Sequence, residues 1–315
     1  MKTPTLATVK DACAIMSDGR YVLVFGKSFW IFRTDGSFVA KHKAIRNAYK
    51  AVFLPDNTIL VDGSGDGQYH YISLDNGAIL WSGIQKGRRT MSATRFAVSP
   101  DGSTIYDVCY VGFNTIQIDR IIPQEQKHDY YKTVSALRTT NAIYCDQEGK
   151  LCLLQSHVDF DDVMKISLCK QYGILSIDIA NDILHSEWKK RWESTDTIGR
   201  TVCGCDGRYI LFENFDILDI ETQSTFTLLQ DKSFKIPGRF RFDCVYNRDR
   251  KLLIVSYLGV KLNMVLDCVA KKVIAQYPRS TDGVGYIGCL VHDSFWIGTP
   301  EGIVIKDFPQ QASNI

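Results

Sequence analysis

From Val52 to Trp81 the chain reads VFLPDNTILVDGSGDGQYHYISLDNGAILW. An apolar run, Val52-Phe53-Leu54, meets the polar turn Pro55-Asp56-Asn57 and returns as Ile59-Leu60-Val61. After the glycine-rich link Asp62–Gly67, a third run ends at Leu74-Asp75. It turns at Asn76-Gly77 and comes back as Ile79-Leu80-Trp81. Asx and Gly residues between short apolar runs are the strongest local signal for a hairpin, because they tolerate the left-handed backbone that a tight turn requires. The stretch therefore reads as four antiparallel strands in a row.

The first of these hairpins recurs along the chain. Ala14–Val24, Val52–Val61, Phe96–Tyr106, Ala142–Leu154, Val202–Phe212, Phe242–Val255 and Ile287–Ile297 each place a polar turn between two apolar runs. Their turn positions are 19, 57, 102, 149, 207, 248 and 294, a spacing that averages about 46 residues. Second hairpins follow, with Asp at the end of the third strand in Leu74-Asp75, Ile177-Asp178, Leu218-Asp219 and Leu266-Asp267. Four strands at this period predict an all-β, seven-bladed β-propeller of four-stranded antiparallel blades. The best helical candidate is Asn181–Trp192, where Trp188 can equally end a fourth strand. The seventh repeat stops after Ile303–Phe308 and lacks a fourth strand, whereas Thr5–Lys10 precedes the first hairpin as an orphan. Pairing residues 5–10 with the final blade, residues 286–308, would close the ring and hide its edges. The whole chain, 1–315, is then expected to be a single propeller domain.

At Leu60–Gly67, Leu74–Gly77 and Trp81 the chain resembles a quinoprotein (PQQ)-like blade, and at Ser99-Pro100-Asp101-Gly102 it resembles a WD40-like turn. The Gly-His and Trp-Asp signatures of true WD40 repeats are missing. The resemblance implies a WD40/PQQ-like propeller fold and leaves the chemistry open. No quinone or other cofactor is expected, because Cys203 and Cys205 are separated by Gly204 where true quinoproteins carry a vicinal disulfide.

Composition narrows the class. The chain has 315 residues, 45% of them hydrophobic, enough for a large core. Lys and Arg total 37 against 35 Asp and Glu, which argues against a globally basic nucleic-acid coat. No run of eighteen apolar residues predicts a membrane helix, and Met1–Ala7 has no apolar signal core. The expected location is cytoplasmic. Ten cysteines, several inside strand-like runs, are then read as reduced, buried and structural.

Candidate chemistry is sparse. Asp62-x-Ser64-x-Asp66-Gly67 matches the first half of a calcium loop, but position twelve is Ser73 instead of an acid. His157-x-Asp159-x-Asp161-Asp162 is placed in a long connection between strands two and three of the fourth blade. It could hold a cation, but reads better as a solvated loop. No Cys/His ligand spacing and no nucleophile elbow are present. A Ser-His-Asp arrangement leaves no trace in sequence, because its members need not be neighbours.

Charge is more informative. In a propeller the links from a fourth strand to the next first strand cross one face, called top. Those links, residues 41–50, 84–95, 127–138, 187–200, 230–241 and 277–286, hold 20 Lys or Arg and 6 Asp or Glu. The rest of the chain holds 17 and 29. Seven residues before their turn positions stand Lys50, Arg95, Arg200 and Arg241, expected at the top rim of the axial channel. Arg46, Arg88, Arg89, Arg138, Lys190 and Arg239 lie in the same crossings. Converging cations in a concave mouth suit a carboxylate, a phosphate or an acidic peptide. The alternative reading is that each pairs with an acid on its neighbouring blade or is simply solvated.

The sequence thus predicts a non-catalytic, scaffold-type propeller that binds an acidic or anionic protein partner at its basic top face. The alternatives are a lyase or hydrolase acting on an anionic small molecule in the axial channel, and a nucleic-acid-associated module. No membrane partner and no metal are expected.

Overall fold

The computed structural model describes the chain from Leu6 to Phe308, apart from residues 13, 49, 64–65, 86–90, 93–95, 113–114, 136–138, 147, 162–165, 180, 192–201, 206–208, 213–215, 220–221, 223, 228–241, 248–249, 258–261, 279–287 and 300. The described strands group into seven antiparallel sheets. Sheet one holds β1 (Ala14–Ser17), β2 (Tyr21–Phe25), β3 (Phe29–Arg33) and β4 (Phe38–His42). Sheet two holds β5 (Lys50–Leu54), β6 (Thr58–Gly63), β7 (Gln68–Ser73) and β8 (Ile79–Ile84). Sheet three holds β9 (Met91–Ser92), β10 (Ala97–Val98), β11 (Ile105–Gly112), β12 (Thr115–Ile122) and β13 (Lys127–Ser135). Sheet four holds β14 (Thr139–Cys145), β15 (Leu151–Asp161), β16 (Ile166–Asp178) and β17 (Ile183–Arg191). Sheet five is β18 (Val202–Cys205), β19 (Tyr209–Phe212), β20 (Asp216–Asp219) and β21 (Thr225–Thr227). Sheet six is β22 (Phe242–Asn247), β23 (Leu252–Tyr257), β24 (Leu262–Asp267) and β25 (Lys272–Pro278). Sheet seven is β26 (Gly288–Val291), β27 (Ser294–Gly298) and β28 (Ile303–Asp307). Strands adjacent in sequence pair within each sheet, as hairpin-linked strands should, except that in sheet three β9 pairs with β11 and not with β10.

The turns form where the sequence asks for them. Gly19, Asn57, Gly102 and Gly149, all expected turn residues, have φ of +88°, +60°, +73° and +81°. Aspartates lock the corners by accepting backbone protons. Asp18 Oδ1 accepts from Tyr21 N at 2.8 Å, Asp146 Oδ1 from Lys150 N at 2.8 Å, and Asp267 Oδ1 from Ala270 N at 2.8 Å. This is why Asp recurs there: its short carboxylate caps the amides that a tight turn leaves unpaired.

The described residues form two compact units, residues 1–82 with 241–315, and residues 83–240. In the first unit, β2 is buried along its whole length. Alternation sends Tyr21, Leu23 and Phe25 one way, onto Ile59, Val61 and Ile72 of sheet two. Val22 and Val24 go the other way, onto Cys289, Val291 and Trp296 of sheet seven. On its far side sheet seven packs Phe295 and Ile297 against Leu252, Ile254 and Tyr277 of sheet six. The Tyr277 and Phe295 rings stack 4.4 Å apart. In the second unit, sheets three and four meet through Val108, Ile116 and Ile118 against Ile143, Leu153 and Ile177.

Three expectations need correction. Leu6–Thr8 form a 3-10 turn, not part of a strand. Leu6, Val9 and Ala12 instead plug the seam between sheets one and seven as side chains, and sheet seven has three strands among the described residues. The helical candidate is strand: Ile183–Arg191 pairs with β16, because a partner edge outweighs weak helical periodicity. His157–Asp161 are not in a loop. They extend β15 and pair with residues 166–171 of β16 as one long hairpin.

Candidate functional site

The chain leaves β4 at His42 and enters β5 at Lys50 without passing an acid. Ile45 and Ala48 anchor this crossing, both buried in the core shared by sheets one and two. Asn47 takes a left-handed conformation and donates its amide to Gly26 O at 3.3 Å. With the apolar residues turned in, Lys41, Lys43 and Arg46 are left exposed. Lys41 Nζ sits 3.9 Å above the Trp30 ring, and Arg46 Nε donates to Lys43 O at 3.4 Å.

These cations differ from most of their described counterparts. Arg20, Lys27, Lys132, Lys150 and Arg250 each hold a carboxylate at 2.6–2.9 Å. Among the described residues, no carboxylate stands within 4 Å of Lys41, Lys43 or Arg46. Lys41 near the end of β4, with Lys43 and Arg46 on the crossing, thus forms an exposed run of positive charge with no carboxylate at ion-pair distance among the described residues.

Lys50 occupies a different environment. Its Nζ lies 3.4 Å from Asp62 Oδ2, and the two side chains are 0% and 2% exposed. They are register partners across β5 and β6. The sequence contained this pairing. Once Asn57 sets the turn so that Leu54 faces Thr58, four residues back and four residues on bring Lys50 opposite Asp62. Asp62 is therefore the acid of a buried pair instead of a calcium ligand. Asp66, the other acid of that half-motif, contacts His70 Nε2 at 2.9 Å. Among the described residues no group of three or more His, Cys, Asp or Glu could hold a metal ion.

Of the remaining expected cations, Lys190 stands on β17 opposite Tyr172. Arg88, Arg89, Arg95, Arg138, Arg200, Arg239 and Arg241 lie outside the described residues, as does Asp162 of the proposed acidic loop.

Two polar features went unread in the sequence. His42 stacks on Phe29, with ring centroids 6.2 Å apart, and its Nε2 is buried without a hydrogen-bond partner. Burial, reinforced by the nearby His70, holds its pKa below the ordinary histidine value. In the second unit, Asp107 and Asp119 are register partners on β11 and β12, each 1% exposed. Gln117 Nε2 donates to Asp119 Oδ1 at 2.6 Å, and His128 Nε2 lies 3.5 Å from Asp119 Oδ2. A charge amid an apolar strand, as in Tyr106-Asp107-Val108, was the available signal.

The described cysteines Cys109, Cys145, Cys152, Cys268 and Cys289 are free thiols. Burial pushes the Cys145 thiol up to about 12 and the Cys152 thiol up to about 11, and raises that of Cys289 further. Raised in this way, these three thiols are held in the protonated form, which is the weaker nucleophile.

No family model matches the sequence, and no curated protein matches it. Solved structures match the fold along nearly the whole chain. The hydrazine synthase of Kuenenia stuttgartiensis aligns with a TM-score of 0.64 at 13% identity, over 98% of this chain and 97% of that one. The β-propeller domain of Cps50 (Swd1) from Myceliophteria thermophila aligns with a TM-score of 0.61 at 10% identity, over 96% and 98%. A streptogramin B lyase aligns with a TM-score of 0.60 at 11% identity, over 96% and 94%. These similarities show a β-propeller fold. Among the described residues no helix is long and apolar enough to cross a membrane.

Proposed function

We propose that this propeller is a protein-interaction module that binds an acidic or anionic partner through its basic crossings. The seven sheets are read as seven blades of one domain, with sheet seven beside sheet one at the point of closure. The observation that carries the reading is the uncompensated charge of Lys41, Lys43 and Arg46 on an exposed, acid-free crossing. The same strand-four to strand-one links hold 20 of the 37 Lys and Arg residues. In a closed ring they would share one face, with Arg95, Arg200 and Arg241 near its mouth. Lys50, held by Asp62, would contribute to the frame more than to the contact.

Cations of this kind set orientation and association rate, while buried contacts supply most of the affinity. The test uses a fluorescein-labelled acidic peptide of alternating Glu and Tyr, titrated by anisotropy at low and high salt. Binding should weaken with salt and fall about tenfold in Lys43→Glu/Arg46→Glu. Unchanged binding in that variant would remove the site. Tight binding of single-stranded DNA with a steeper salt slope would favour the nucleic-acid reading instead.

A further inference from the structure

Sheet two holds a hydrogen-bonded chain of three side chains that the basic crossing does not use. His70, on β7, is 4% exposed. Its Nε2 lies 2.9 Å from Asp66 Oδ2, and its Nδ1 lies 2.9 Å from Ser82 Oγ on β8. An ionised carboxylate can only accept, so the contact with Asp66 puts the imidazole proton on Nε2. Nδ1 is then an open lone pair, and the Ser82 hydroxyl is the donor into it. This is the order nucleophile, base, orienting acid.

The surroundings hold that order in place. Asp66 Oδ1 accepts from Gln68 N at 3.0 Å, and Asp66 N donates to Gly63 O at 2.9 Å, which fixes the carboxylate. Gly63 leaves room for the contact: a Cβ there would stand 2.4 Å from Asp66 Oδ1 and 2.9 Å from His70 Nε2. The base is buried, whereas Ser82 is exposed on the outermost strand, within reach of a substrate. Leu80, two residues earlier and so on the same strand face, is 46% exposed and offers an apolar surface beside Oγ.

We propose that Ser82 is an acyl-accepting nucleophile, with His70 as its base and Asp66 as the positioning residue, acting on small carboxylic esters with an apolar acyl chain. Ser82 Oγ bonds to the ester carbonyl carbon as its proton passes to His70 Nδ1. The bond to the leaving alcohol then breaks, and His70 returns the proton to the departing oxygen. Water attacks the acyl-serine, gives its proton to His70 and releases the free acid. That proton returns to Ser82 Oγ, and the site is restored.

The full chain is incubated with a fluorophosphonate probe, mapped by mass spectrometry, and assayed on p-nitrophenyl butyrate. Neither arm contains an acidic peptide, so the outcome is independent of the docking reading. Ser82 should carry the label, and Ser82→Ala should reduce ester hydrolysis to the buffer rate at an unchanged melting temperature. Asp66→Asn should slow labelling by about a hundredfold and alter its pH profile, because an amide can donate to Nε2 and reverse the tautomer. Asp66→Glu should restore part of the rate. An unlabelled Ser82 in the folded wild-type chain, or hydrolysis unaffected by Ser82→Ala, would show that the two contacts serve only to satisfy a buried imidazole.

Discussion

Lys50 and Asp62 face each other across β5 and β6 at 3.4 Å, with neither side chain more than 2% exposed. Each charge is tolerated because the other is present. Desolvating an ion costs several kcal/mol, and a buried pair returns that cost only while both partners remain. Lys50→Met should therefore destabilise the protein by about 3–5 kcal/mol. Lys50→Met combined with Asp62→Leu should recover most of that loss. Urea denaturation of the three proteins checks this, and an unchanged midpoint in the single variant would mean that water reaches the pair.

His42 gives stability a pH dependence. Burial, and then repulsion from His70, lower its folded pKa below the ordinary 6.5. The neutral imidazole is thus favoured in the native state. As pH falls through 6.5 the unfolded chain takes up a proton that the folded chain resists, so stability declines until the depressed folded value is passed. The urea midpoint should fall between about pH 7.5 and pH 5, and His42→Asn should flatten that part of the curve.

Gly77 should not tolerate alanine. Its φ is +72°, and a Cβ there would come within 2.1 Å of the Ala40 Cβ. Strain and overlap together should cost about 2–4 kcal/mol. Gly67 is the internal control: φ is +68°, but nothing lies within 4 Å of an added Cβ. Gly67→Ala should cost only about 1 kcal/mol. Thermal melts of the pair separate the clash from the backbone conformation.

The amino-terminal plug should matter through its side chains. Val9 is 1% exposed in the cluster that joins sheets one and seven. Val9→Ala should cost about 2 kcal/mol, and the neighbouring exposed Lys10→Ala less than about 0.5 kcal/mol. Equal effects on the denaturation midpoint would contradict side-chain plugging of the seam.

Much of the fold was legible because hairpins are local. Asp18-Gly19, Asp56-Asn57 and Asp101-Gly102 announce their turns within a few residues, and each turn fixes the register of the strands beside it. That register even contained the Lys50–Asp62 pair. The amino-terminal segment was misread because Leu6, Val9 and Ala12 look equally apolar as a strand or as a plug. Only the seam between sheets one and seven chooses between the two.

The candidate sites were less legible. Lys41, Lys43 and Arg46 announce their charge, but their lack of a carboxylate partner is a property of space. Asp66, His70 and Ser82 share no motif, and their spacing suggests nothing until β7 and β8 lie side by side.

Strand order, turn positions and the alternation that buries both faces of β2 follow from the amino-acid order alone, since backbone geometry and side-chain period act over a few residues. Which exposed cations lack a carboxylate, which imidazole stays dry and which serine meets a base were decided only when the strands lay side by side and the sheets packed. Those properties depend on distances of about 3 Å between residues that the chain itself holds far apart.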